Sequence, residues 1–317
     1  MKAIVLLLVP LLAACGFATA KDLVVASDGS GDFKALQEAI DSIPEKNDER
    51  VVITIRPGTY SGHTAIPRGK NAITFRGEDA TTTTLTDDQN VNVVLADGKK
   101  ISTPDSSTVL VRGNDFRAEN ITFENTAGNH GQALAMYHAG DRGVFKNCRF
   151  LGWQDTLRVN KGRSYFKDCY IEGHVDFIYA DGVAYFETCH IHCVADGFIT
   201  AASTDVNEPV GYVFRDCKVT AADMVKRTYL GRPWRPNASV TFIDCELPAQ
   251  IDPGGWNNWG KEENEKTARY AEYNSTGPGA NPEKRVPWSK QLTKEEADKL
   301  TVQNVLGGKD GWNPTHE

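Results

Sequence analysis

Phe145-Lys-Asn-Cys-Arg-Phe-Leu-Gly-Trp-Gln-Asp155, Phe166-Lys-Asp-Cys-Tyr-Ile-Glu-Gly-His-Val-Asp176 and Phe186-Glu-Thr-Cys-His-Ile-His-Cys-Val-Ala-Asp196 align without gaps. Their first residues are 21 and then 20 positions apart. That period is too short for a strand plus a full helix, and its apolar positions alternate, so each repeat reads as one coil of a β-solenoid. Equivalent positions then stack along the axis at one strand spacing, roughly 4.8 Å. Asp155 and Asp176 become neighbours on adjacent coils, and Cys148, Cys169, Cys189, Cys217 and Cys245, all in the frame Phe-x-x-Cys, become an interior ladder. One coil's rise suits a disulfide as well as a column of free thiols, and both readings stand at this level.

Two carboxyls held one coil apart do not both ionise easily: one keeps its proton while the other stays charged, which supplies an acid and a nucleophile. The structural alternative is that each aspartate shapes the turn before a strand. Asp196 occupies the same frame with no polar residue before it, whereas Asp155 follows Gln154.

Working outward, Ile53-Thr-Ile, Ile73-Thr-Phe, Val93-Val-Leu and Ile121-Thr-Phe continue the repeat backwards, and Cys217 and Cys245 continue it forwards, for about nine coils. Phe33 to Ile43 has helical spacing and ends at Pro44, which predicts a short helix capping the open end. Residues 1–20 carry an apolar run from Ala3 to Ala14 and a small-x-small site at Ala18-Thr-Ala20, the pattern of a signal peptide, leaving one domain over residues 21–317. Leu12-Ala-Ala-Cys15 also reads as a lipoprotein site, which would anchor the chain to a membrane. The formal charge of −7 becomes −8 without Lys2 and speaks against nucleic acid as a partner. Asn237-Ala-Ser239 and Asn274-Ser-Thr276 are glycosylation acceptor patterns. Cys189-His-Ile-His-Cys193 alternates across a strand rather than converging, so no metal site is read there.

Gln132, opening Gln132-Ala-Leu-Ala135, and Gln154 offer two amide donors near the aspartates, the means to hold an oxyanion. Tyr229-Leu-Gly-Arg-Pro-Trp234 brings a guanidinium to steady Asp176 and an indole face for a sugar ring. Arg232 is expected to lower the pKa of Asp176, and the resulting anion to raise that of Asp155.

Gly152-Trp-Gln-Asp-Thr-Leu157, Asp176-Phe-Ile-Tyr-Ala180, Tyr229-Leu-Gly-Arg-Pro-Trp234, Gly255-Trp-Asn-Asn-Trp259 and Tyr270-Ala-Glu-Tyr-Asn-Ser-Thr-Gly-Pro-Gly-Ala280 closely resemble the signature segments of the pectin methylesterases, in the same order. The resemblance implies a right-handed parallel β-helix, without metal or cofactor, that hydrolyses galacturonate methyl esters of pectin. It implies Asp176 as nucleophile, Asp155 as general acid and then base, Gln132 and Gln154 as the oxyanion pair, and Arg232 beside the nucleophile. Thr108, Tyr179 and Trp234 are implied as substrate contacts. The chain departs from the family pattern at Tyr60-Ser-Gly-His63 and at Tyr179-Ala180. A secreted monomer is the expected form. The rival readings are a retaining glycosidase, which also needs two close carboxylates but has no oxyanion for the glutamines to hold, and a pectin-binding module without turnover.

Overall fold

The structure, a computed structural model, describes residues 21–316. Residues 1–20, on which the signal-peptide and lipoprotein readings fall, lie outside the described residues. Eleven strands form one wall, in the order Lys21–Val25, Val51–Ile55, Ile73–Gly77, Arg117–Glu119, Gly143–Lys146, Arg163–Lys167, Val183–Glu187, Tyr212–Arg215, Ser239–Ile243, Arg269–Tyr273 and Lys290–Gln291. Each neighbouring pair is parallel, as stacked coils require. A second, twelve-stranded sheet carries Ser107–Val111, Leu134–His138, Leu157–Val159, Tyr170–Ala180, His190–Ala202 and Thr228–Gly231. This is a parallel β-helix.

The Phe-x-x-Cys frame explains the stacking. Phe145 lies opposite Phe166, and Phe166 opposite Phe186. The rings of Phe145, Phe166, Phe186, Phe214 and Phe242 form one column with centroid spacings of 4.7, 4.6, 4.4 and 4.5 Å. All five are fully buried. Truncating one, as in Phe186→Ala, removes a layer that nothing else fills and should cost ~3–5 kcal/mol. The residue before each ladder cysteine turns the corner of its coil in the left-handed region: Asn147, Asp168, Thr188, Asp216 and Asp244 have φ between 51° and 54°. Short Asn and Asp side chains tolerate that conformation best, hence their recurrence. Thr188 is the exception, and its hydroxyl donates to the Asp168 carboxylate. The six described cysteines are buried free thiols, and those of the ladder donate to carbonyls on the preceding coil, as Cys169 does to Phe145 at 3.5 Å.

Three expectations change. Ile53 lies opposite Phe75 on the first wall, whereas Ile121-Thr-Phe123 lies on the second, level with Cys148-Arg-Phe150. Both walls share one apolar alternation, so a three-residue match does not tell them apart. Val93-Val-Leu95 belongs to no strand; it sits in the long connection between Thr83–Asp87 and Ser107–Val111, where Val94 bridges Lys100 antiparallel. The helix near the N-terminal end spans only Leu36–Asp41, with Leu36, Ala39 and Ile40 buried in the main core.

Beyond the last long strand, Ala297, Leu306 and Trp312 pack on the outside of the first wall against Val144, Tyr165, Val183 and Tyr185. In the segment beginning at Tyr270, Glu272 receives a buried two-pronged contact from Arg285, at 2.7 and 3.0 Å. That motif therefore holds the end of the solenoid together.

Candidate active site

The outer face of the second sheet brings the singled-out residues together. Asp155 N–H donates to Val175 O at 3.2 Å, the parallel-ladder bond that sets Asp155 opposite Asp176. Both adopt left-handed backbone, with φ of 65° and 54°, so the chain leaves regular strand geometry at each residue, and at Asp176 it does so within the strand Tyr170–Ala180. Asp196 does not join them. Register shifts between Gly173 and Ile178 carry it out of line, and its carboxylate instead accepts the N–H groups of Lys226 and Arg227 at 2.7 and 3.1 Å. Of the three aligned aspartates, it alone has the structural role.

Arg232 grips Asp176 through two parallel bonds, Nε to Oδ1 and Nη2 to Oδ2, each 2.8 Å. Its guanidinium lies between two rings, with centroids of Phe198 at 3.9 Å and Trp259 at 3.8 Å. Stacking on both faces fixes the plane of the fork, so the carboxylate is oriented as well as paired. Gly231 allows this approach: a Cβ there would lie 2.0 Å from Thr200 Oγ1 on the coil below.

Burial and pairing separate the two acids. Asp155 is 8% exposed, and desolvation followed by repulsion from Asp176 raises its pKa to about 8. Asp176 is also raised, by burial, against the opposing bonds and charge of Arg232. This corrects the expectation of a net lowering: the arginine limits the rise without reversing it, because the carboxyl is buried as deeply as its neighbour. The order survives, with Asp155 the better proton holder near neutrality.

The amides are also placed. Ala133 N–H donates to Gln154 O, while both Ala135 and Met136 N–H groups reach Thr156 O, at 2.9 and 3.1 Å. Three residues on one coil thus span two on the next, and this bulge sets Gln132 level with Gln154. Among the described residues, neither side-chain amide has a protein hydrogen-bond partner, so both are free for a ligand. Trp234 stands edge-on to Tyr179 at 5.9 Å and is half-buried.

Of the expected substrate contacts, Thr108 sits elsewhere, whereas Tyr179 lies at the site but is buried. Thr108 is fully buried, and its hydroxyl donates to Glu124 O at 2.7 Å, so it does not face the groove. Tyr179 is 5% exposed; its phenol faces Asp155 and Arg158 without a hydrogen bond of full geometry. The sequence reading missed Phe198, Trp259 and Arg158. Trp259 ends a quoted motif and was within reach. Phe198 carried no signal, because its role arises from a guanidinium contributed by the next coil.

Loops wall this face. Val91 N–H donates to Gln132 O at 3.1 Å, and Asn129 meets His174 Nε2 at 3.0 Å, tying the connections of two coils to the rim. A half-open hollow of about 860 Å³ lies away from the aspartates, around Arg163, Asp205 and Asn304. An open trough rather than a cavity suits a polymer that extends beyond the reacting unit. Among the described residues no cluster of His, Cys, Asp and Glu has metal-holding geometry.

Fold and site together define the class: a carbohydrate esterase on a parallel β-helix. The sequence profile of the Pectinesterase family matches residues 22–309, and the chain belongs to that family. It is 45% identical to pectinesterase 31 of Arabidopsis thaliana over 290 residues, 88% of this chain and 90% of that one. Among solved structures it is similar to the pectin methylesterase from carrot, with a TM-score of 0.84 and 34% identity over 92% of this chain and 94% of that one. It is also similar to PemA from Erwinia chrysanthemi, with a TM-score of 0.81 and 30% identity over 94% and 99%. A pectin methylesterase in complex with a hexasaccharide matches at the same TM-score, with 30% identity and the same coverage.

Proposed function

We propose that the chain removes methyl groups from the galacturonate esters of pectin, with Asp176 as nucleophile and Asp155 as acid and base. The observation that carries this reading is the asymmetry of the pair: one carboxyl is clamped by Arg232, and the other is raised to about 8 with no such partner. Ionised Asp176 adds to the ester carbonyl, and the amides of Gln132 and Gln154 hold the oxyanion. Collapse breaks the bond to methoxide, which takes the Asp155 proton and leaves as methanol, so that an acyl-enzyme anhydride remains. Asp155, now ionised, takes a proton from water as it adds to the sugar carbonyl. That second intermediate expels Asp176 as carboxylate and leaves the product acid, which ionises into solvent, while Asp155 keeps the proton it took from water and is ready for the next ester. Neither step calls for a metal or cofactor.

The free amide pair supports an esterase over a glycosidase, whose oxocarbenium-like state offers no oxyanion. The relative crystallised with a hexasaccharide supports an extended sugar chain as ligand. The leader pattern supports secretion, and among the described residues no helix is long and apolar enough to cross a membrane. The test is to incubate the enzyme with methylated pectin and follow methanol and new reducing ends together. Methanol without reducing ends is expected; reducing ends without methanol would make the protein a glycosidase, and neither would make it a binding module.

A further inference from the structure

One buried hydroxyl at the site has no bond of its own. Tyr179 lies on the strand Tyr170–Ala180, opposite Arg158 on the neighbouring coil. Its phenol oxygen is buried without a hydrogen-bond partner of full geometry, and it faces the Asp155 carboxyl and the Arg158 guanidinium. The ring is held in place. Arg158 stands 5.3 Å from its centroid, and Trp234 closes on it edge-on at 5.9 Å. The next residue, Ala180, takes a φ of 98°, and its carbonyl accepts from the Tyr212 hydroxyl at 2.9 Å. A positive φ is strained for alanine, and a buried hydroxyl left unpaired is costly. Both costs fall on the adjacent pair Tyr179-Ala180, where the chain also departs from the family pattern.

A hydrogen bond from a hydroxyl to a carboxylate is roughly twice as strong as one to a neutral carboxyl. Asp155 passes from the second state to the first during turnover. Its O–H bond breaks as the proton goes to departing methoxide, and Asp176 is then neutral within the anhydride, so Asp155 carries the negative charge of the acyl-enzyme. Burial and the charge of Asp155 hold the phenol well above its ordinary pKa, so it keeps its own proton and donates. We infer that Tyr179 is a positioning residue for Asp155: its hydroxyl donates to the carboxylate formed as methanol leaves and fixes that carboxylate for the water that follows. An interaction that strengthens as charge develops lowers the barrier rather than tightening substrate binding. This rests on the esterase reading above and adds to it a residue that acts through the acid. The other charged groups facing Asp155 are Asp176, Arg158 and Arg232, and none of them is altered when the phenol oxygen is removed.

Tyr179→Phe removes that oxygen and keeps the ring on which Arg158 and Trp234 pack. The first readout needs no substrate. The stability gained by Asp155→Asn is measured against pH by urea unfolding, once in the wild-type background and once in Tyr179→Phe. In the wild type the gain should level off near the pKa of Asp155, about 8, and in Tyr179→Phe about one pH unit higher, because a carboxylate without its donor forms later. The second readout is methanol release from methylated pectin. The alkaline limb of kcat/KM should rise by the same interval, the acid limb set by Asp176 and Arg232 should stay, and kcat should fall about tenfold with little change in KM. A residue that only packs or touches the sugar would change stability or KM and leave the levelling-off point and both limbs where they are. That result would overturn the inference and leave the esterase reading intact. Release of no methanol by the wild type would overturn the esterase reading and, with it, the role in turnover, and the substrate-free readout tells the two failures apart.

Discussion

Replacing Asp155 by asparagine should make the protein more stable, by an amount that depends on pH. An unfolded aspartate titrates at the ordinary value of 3.8, whereas folded Asp155 holds its proton to about 8. Between those values the folded state binds a proton that the unfolded state does not, so wild-type stability falls as pH rises, by about 1.4 kcal/mol per unit. The variant has a nearly isosteric amide that never ionises, and the difference between the two proteins isolates this group. From 3.8 to 7 is roughly three units, or about 4 kcal/mol in favour of Asp155→Asn, with the difference levelling off above 8. Water entering the opened groove would reduce that figure without changing its direction. Urea unfolding followed by tryptophan fluorescence at half-unit steps from pH 4 to 9 measures it. A stability difference that stayed flat between pH 5 and 8 would refute the claim that burial and Asp176 keep Asp155 protonated.

Gln154→Ala should lower kcat on methylated pectin by about 10²-fold with little change in KM, since its amide meets a charge present only in the transition state; a change confined to KM would make it a ground-state contact. The profile of kcat/KM against pH should be bell-shaped, with its alkaline limb near 8 from Asp155 and its acid limb above the ordinary carboxylate range, because burial outweighs Arg232 at Asp176. Arg232→Ala should move the acid limb further upward and narrow the bell, and an unmoved limb would show that the arginine does not hold the nucleophile's charge.

The repeat made the fold legible. Identical residue types at a spacing of about 21 fix the stacking of Phe145 on Phe166 and of Asp155 against Asp176 before any coordinate is seen, because a coil of constant length leaves equivalent residues nowhere else to go. Where coil length varies the argument fails. The residues around Val93 looked like a coil and form a loop, since three apolar residues suit either wall or neither. Asp196 shows the same limit within the repeat, as a bulge too small to alter the alignment moved it out of line. At the site, groups contributed by aligned coils were legible, and Asp155, Asp176, Gln154 and Arg232 meet as expected. Distances along the sheet were not. The bulge that levels Gln132 with Gln154, the burial of Thr108 and the cradle of Phe198 and Trp259 around Arg232 depend on backbone detail and on how deep each side chain sits.

The central claim is that Asp176 forms the bond to the sugar, and Asp176→Asn tests it most directly. The amide keeps the size of the carboxyl and the oxygen that accepts from Arg232 while losing the nucleophile's charge. Methanol release and pectin affinity should be measured on the same preparation, with folding checked by unfolding midpoint. The account predicts that methanol release falls to the uncatalysed level while the variant still binds pectin. Release at anything near the wild-type rate by a folded Asp176→Asn protein would contradict it.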